Sequence, residues 1–229
     1  MIFVRVRLAA SAARMGELAD FYGERLGLGV TPAGVALLLV VGETNVEFVR
    51  AAGEPFYHFA LLVPGNRFDE ALAWARARTQ LLPDGESGDE VFDFDNWSAY
   101  ACYFHDPAGN IVELIAHRGI GETNAQGEFR ATELIGLSEL GLVGDAQAMA
   151  DSLRQNLGME LWDGTLDVPG ALAFVGERAR TLILAPPGRG WLPTGRAAER
   201  HDLEVVLAGP RTGETELEGS RYRIRAALP

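Results

Sequence analysis

Glu113 is the residue whose setting most needs a chemical explanation. It stands in Ile111-Val112-Glu113-Leu114-Ile115-Ala116, where its neighbours on the same strand face are Ile111 and Ile115. A carboxylate held among apolar side chains loses several kcal/mol of solvation unless a partner or a metal compensates, and the alternative is a strand whose face is solvated. His58 shares a strand face with Phe56, Ala60 and Leu62, which suits either a hydrogen-bonded core histidine or a ligand. Glu47, on a face with Asn45 and Val49, reads as an edge-strand charge or as a further site carboxylate. Arg5 and Arg7 lie on the polar face of the first strand and cannot ligate a metal, because a guanidinium stays protonated.

The scarcity of other reactive groups narrows the chemistry. The chain has 229 residues, 48% apolar and 23% charged, with 20 basic residues that are all arginine. Without lysine there is no Schiff-base or pyridoxal chemistry and no Walker-type phosphate lysine. One cysteine, Cys102, rules out an intrachain disulfide and a cysteine-rich zinc site. The formal charge of −12 argues against a general nucleic-acid or anionic-membrane partner. The longest apolar run, Val35 to Val41, is far short of the roughly 20 residues a spanning helix needs. A cytoplasmic protein is the expectation.

The elements that must position these groups repeat. Phe3 to Leu8 alternates as a half-buried strand, with Val4, Val6 and Leu8 on one face. Met15, Leu18, Ala19, Tyr22 and Leu26 recur at helical spacing before Gly27, and a hairpin turns at Gly42-Glu43-Thr44. A second unit follows, with a strand from Tyr57 to Val63 and a helix carrying Phe68, Ala71, Leu72 and Ala75, for which Asn66 is the expected cap. Its last two strands are joined by His105-Asp106-Pro107-Ala108-Gly109-Asn110, a dense turn signal. After a polar stretch from Gly119 to Arg130, Leu157-Gly158-Met159 echoes Leu26-Gly27-Leu28, and strands continue to the end without room for a fourth helix.

The segments Phe21 to Leu28, Tyr57 to Pro64 and, above all, Tyr103 to Ile115 with its Asp-Pro-x-Gly-Asn turn resemble the vicinal-oxygen-chelate superfamily. Its members include glyoxalase I, extradiol dioxygenases and bleomycin-resistance binding proteins. The resemblance implies an α+β fold of paired β-α-β-β-β modules with curled mixed sheets forming a cleft. It implies a first domain at 1–118 (modules 1–52 and 55–118) and, beyond the polar stretch at 119–130 read as a linker, a second, degenerate domain at 131–229, with a small-molecule substrate or ligand for a monomer or homodimer. It further implies a divalent metal (Fe, Mn, Ni or Zn) on His58, Glu47 and Glu113, with Glu113 or Glu47 as catalytic base. The fourth, first-strand ligand is replaced here by Arg5 or Arg7. Either an arginine binds substrate beside a three-ligand metal, or it pairs with Glu47 or Glu113 and displaces the metal in a binding protein. Trp97, Tyr100 and Tyr103 are the aromatic candidates for substrate contact. His117 is on the Glu113 face but roughly 13 Å away at about 3.3 Å per residue, too far to share an ion. The loop from Pro186 to Arg200 is either a lid or a packed connection. The second half reads as a metal-free cover or substrate-shaping module.

Overall fold

A computed structural model describes residues 1–228. The first module runs β1 (Ile2–Ser11), α1 (Met15–Ala19) continued by a π-helical turn (Asp20–Arg25), β2 (Gly29–Ala33), β3 (Ala36–Val41) and β4 (Thr44–Ala51). The second is β5 (His58–Val63), α2 (Phe68–Arg76), β6 (Phe92–Phe94), β7 (Ala99–His105) and β8 (Ile111–His117). The third is β9 (Gly136–Val143), α3 (Ala146–Leu157), β10 (Leu161–Gly164), β11 (Ala173–Glu177) and β12 (Arg180–Ala185). A short hairpin of β13 (Gly190–Trp191) and β14 (Arg196–Ala197) precedes β15 (Leu203–Ala208), β16 (Gly213–Leu217) and β17 (Tyr222–Ala227). No helix is long and apolar enough to cross a membrane.

Two large sheets form, and their strand order assigns the modules. One is β16-β17-β15-β1-β4-β3-β2 and the other β10-β11-β12-β9-β5-β8-β7-β6. Module one therefore pairs with the C-terminal strands through β1 and β15, and module two pairs with module three through β5 and β9. The sequence reading expected modules one and two to build one cleft together. Instead each lies in a different sheet, and each cleft joins residues from both halves of the chain.

Both sheets contribute to one core. Val6, Leu8 and Phe48 of the first sheet pack in the same buried cluster as Phe59, Leu61, Leu140 and Leu142 of the second. Burial of such side chains is worth about 1.5–3 kcal/mol each. A β-bulge between Phe3 and Arg5 turns Phe3 into this core and leaves Val4 39% exposed, against the simple alternation expected. Tyr57 ties the sheets by donating to the Asp202 carbonyl at 2.7 Å, and Tyr222 by donating to that of Val143 at 2.8 Å. Asn66 does not cap α2; Arg67 holds the N-cap position, and the Asn66 side chain bonds the Thr123 backbone instead. On α3, Asp145 accepts from the Ala148 N–H and Gly158 ends the helix at φ 67°.

Gly42, in the β3–β4 turn, shows how closely the sheets approach. Its φ is 51°, and a Cβ there would lie 2.2 Å from the Ile135 carbonyl oxygen. Gly42→Ala is expected to cost about 2 kcal/mol or more, since backbone must move to relieve the overlap. The midpoint of urea unfolding checks this, and an unchanged midpoint would show that the turn yields freely.

Candidate metal centre

His58 opens β5 with its side chain directed away from the helices, and its position there is fixed by the turn that precedes β8. Asp106 accepts from the backbone N–H groups of Ala108 and Asn110, and Asn110 Oδ1 accepts from Tyr57 N–H at 2.7 Å. His58 Nδ1 lies 3.1 Å from the Ile111 carbonyl oxygen, which can only accept, so Nδ1 carries the proton and Nε2 keeps its lone pair. Burial, with a smaller push from the charge of Arg189, lowers the His58 pKa to about 4. The imidazole is therefore neutral near pH 7. Its Nε2 lies 3.5 Å from Glu113 Oε2.

Glu113 is 2% exposed and Glu139 3% exposed. The pairing register explains why they meet: Ala60 is the partner of Glu113 on β8 and of Glu139 on β9. The Ala60 methyl between them leaves space for both carboxylates on one face. Ligating atoms of His58, Glu113 and Glu139 all lie within 4.8 Å of one another. Burial raises the Glu113 pKa, Glu139 raises it further, and a hydrogen bond from Tyr103 opposes both. Burial also pushes Glu139 up to about 8. Two adjacent buried carboxylates demand either a shared proton or a cation.

This donor set fits a divalent metal. Two donors about 2.1 Å from one ion at a tetrahedral angle are about 3.4 Å apart, close to the His58–Glu113 spacing. One neutral imidazole with its other nitrogen anchored to a carbonyl, plus two carboxylates, suits Mn, Fe, Ni or Zn. By the same register, the symmetry-related fourth position is Ile183, two residues beyond the Glu139 partner Thr181 on β12. That side chain cannot ligate, which leaves room for water or substrate.

The sequence reading is corrected at several positions. Glu47 does not join His58 and Glu113, because β4 belongs to the other sheet. Register partners there are Glu47–Arg7, Arg7–Glu204 and Glu204–Arg223, the same lattice row as Glu113–Ala60, Ala60–Glu139 and Glu139–Thr181. Where the second sheet has a small alanine between two carboxylates, the first has a guanidinium. Arg7 lies 3.7 Å from Glu47 and 3.6 Å from Glu204, and Arg5 stands at the His58-equivalent position, 3.9 Å from Glu47. Arg5 and Arg7 thus neutralise the first sheet's carboxylates, on a half-exposed face, and neither enters the His58 cleft. Tyr100 also leaves the candidate set: it points to the helix side, stacked on Phe68 at 5.6 Å with Arg118 over its ring. His117 shares the cleft face but stacks on Trp97, outside the trio.

Trp97 and Tyr103 do line the cleft, together with Phe94, Phe174, Arg189 and Trp191. The 186–200 loop therefore forms a wall of the site, with Trp191 5.0 Å from the His58 ring. Of the two readings of that loop, lid over the cleft and packed connection, the lining residues favour the first, whereas Glu139 was missed because the second half was read as a metal-free cover or substrate-shaping module. A weaker signal for Glu139 was present, since it too is a carboxylate in a largely apolar strand, with Leu137 and Gly141 as its face neighbours.

Without metal, stability should depend on pH with a definite sign. The unfolded chain releases the Glu139 proton near the ordinary 4.5, the folded protein only near 8, so the stability this proton gives is present below 4.5 and lost as pH rises towards 8. His58 and His117, lowered to about 4 from 6.5, act oppositely, but only below 6.5. Metal-stripped protein should therefore lose stability between pH 6.5 and 8, and Glu139→Gln should flatten that decline. Urea midpoints at the two pH values decide it; a midpoint that rises would contradict the assignment.

No family model matches the chain, and no curated protein matches it in sequence. Solved structures do match. A protein from Bacillus subtilis subsp. subtilis str. 168 named as a putative dioxygenase superposes with a TM-score of 0.60 at 15% identity, covering 100% of this chain and 86% of that one. Glyoxalase I from Zea mays superposes with a TM-score of 0.55 at 14% identity, covering 99% and 92%. The chain shares with these proteins, over its whole length, an α+β fold of curled mixed sheets.

Proposed function

We propose that this chain, folded like glyoxalase I and carrying one buried His-Glu-Glu trio, is a metal-dependent enzyme acting on a small molecule with two adjacent oxygens. The observation that carries the reading is the convergence of His58, Glu113 and Glu139 within 4.8 Å at the bottom of an aromatic cleft. When bound, a divalent ion would act as a Lewis acid on the vicinal oxygens. His58 offers Nε2, fixed by its bond to Ile111. The carboxylates hold or move a proton at the carbon beside the substrate carbonyl, and Tyr103 steadies Glu113 for that role. Trp97, Phe174 and Trp191 keep water away. One imidazole with two carboxylates differs from the two-His, one-carboxylate set of ring-cleaving iron enzymes, so isomerase or lyase-type chemistry is favoured.

A metal-free binding protein of the bleomycin-resistance type was suggested by an arginine in place of a ligand, and that arginine belongs to the other sheet. Titration of metal-stripped protein with Mn, Fe(II), Ni and Zn, read by elemental analysis after desalting, tests the proposal. Close to one equivalent is expected for at least one ion; less than about a tenth for all of them would defeat it.

A further inference from the structure

The recess beside the trio contains one further charged group, and the metal centre gives it no task. Arg189, from the loop between β12 and β15, lines the recess with Trp191 and Leu192. Its Nη1 donates to the Gly190 carbonyl, and no carboxylate of the described residues forms an ion pair with it. It is near enough to His58 for its charge to disfavour the imidazolium, and partial burial weakens its own hold on its proton. The facing walls are aromatic and aliphatic: Phe94, Trp97, Leu172, Phe174 and Ile183. The space between these atoms, mouth included, is about 410 Å³, which suits a small molecule with a flat face against the aromatic walls.

Resting on the metal centre proposed above, the charge count is simple. A divalent ion balances Glu113 and Glu139, so Arg189 leaves one positive charge uncompensated in a largely apolar recess. The guanidinium is half-exposed, so water screens part of this charge, but its donors meet no carboxylate of the described residues, and a planar guanidinium matches a carboxylate fork to fork. We infer that the substrate is a small aromatic acid, its carboxylate held by Arg189 and its ring by Trp97, Phe174 and Trp191. Arg189 is then the residue that selects acids over uncharged analogues.

Trp97 and Trp191 supply the readout. Tryptophan fluorescence of Mn-loaded protein is titrated with phenylglyoxylate and with 2-oxo-2-phenylacetamide, which keeps the ring and both vicinal oxygens but no charge. The acid should bind at least about tenfold more tightly. Arg189→Gln should bring the two within about twofold by weakening the acid alone, and Arg189→Lys should retain part of the preference. Equal binding by wild type, a preference that survives Arg189→Gln, or no quenching by either probe would overturn the inference. Elemental analysis of the same samples separates the two proposals. Metal bound without acid preference removes this inference only; an acid preference lost in Arg189→Gln, in protein that takes up no metal, removes only the metal reading.

Discussion

Glu139→Gln is expected to weaken divalent-metal binding by at least about 100-fold, and His58→Ala to do the same, while Glu47→Gln leaves it within a factor of about two. Loss of groups that merely orient ligands already costs about 10–100-fold, so loss of a ligand should reach or exceed the top of that range. The contrast with Glu47 gives the experiment its force. Glu47 and Glu113 occupy equivalent positions in two related sheets, and only the row across the strands differs: Arg7 stands between the first pair of carboxylates and Ala60 between the second. The arginines supply the positive charge that a metal would supply in the other cleft, and half-exposed ion pairs of this kind add little stability of their own. Total uptake should therefore be one equivalent per chain. Isothermal titration with Mn and Zn on each variant checks the series, with circular dichroism confirming the fold. A wild-type affinity retained by Glu139→Gln, or lost by Glu47→Gln, would mean that the metal site lies elsewhere.

Asp106→Ala should lower folding stability by about 3–5 kcal/mol, as much as truncating a large core side chain. Asp106 is buried, and its carboxylate accepts from four donors: Tyr22 Oη at 2.8 Å, Asn110 Nδ2 at 2.7 Å, and the backbone N–H groups of Ala108 and Asn110 at 2.9 and 3.0 Å. Truncation orphans all four where water does not reach. Asn110 in turn holds the Tyr57 N–H, one residue before His58, so the same change should loosen the start of β5. Asp106→Asn should fall between, since it keeps one acceptor oxygen and presents an amide N–H₂ to donors. Urea unfolding followed by fluorescence gives the values; a loss below about 1 kcal/mol for the alanine variant would show that the turn is held by other contacts.

The parts of the fold that were legible in the chain are those set by neighbours in sequence. Strand alternation, the helix carrying Ala71, Leu72 and Ala75, and the turn at Asp106 to Asn110 each follow from the chemistry of a few consecutive residues. His58 and Glu113 could be singled out for the same reason, because a polar group inside an apolar strand is visible without knowing what faces it. Glu139 carried a weaker signal, with only Leu137 and Gly141 beside it on its face, and its weight depends on which strand lies beside β9. Glu47 was overvalued for the converse reason. Its local pattern matches that of Glu113, and only its cross-strand partners Arg7 and Leu38 reveal a different environment.

By itself, then, the sequence determined that successive β-α-β-β-β units form, that chemistry is confined to carboxylates and few imidazoles, and that His58 and Glu113 lie on half-hidden faces. Tertiary structure alone decided which units share a sheet. Related units present similar strand edges, so local pattern allows either pairing; the choice falls to long-range contacts such as Thr44 bonding both Phe3 and Leu137, and Tyr57 reaching Asp202. That choice put Glu139 beside His58 and kept Arg7 with Glu47, because a side chain's electrostatic surroundings are set by the strands next to it in space.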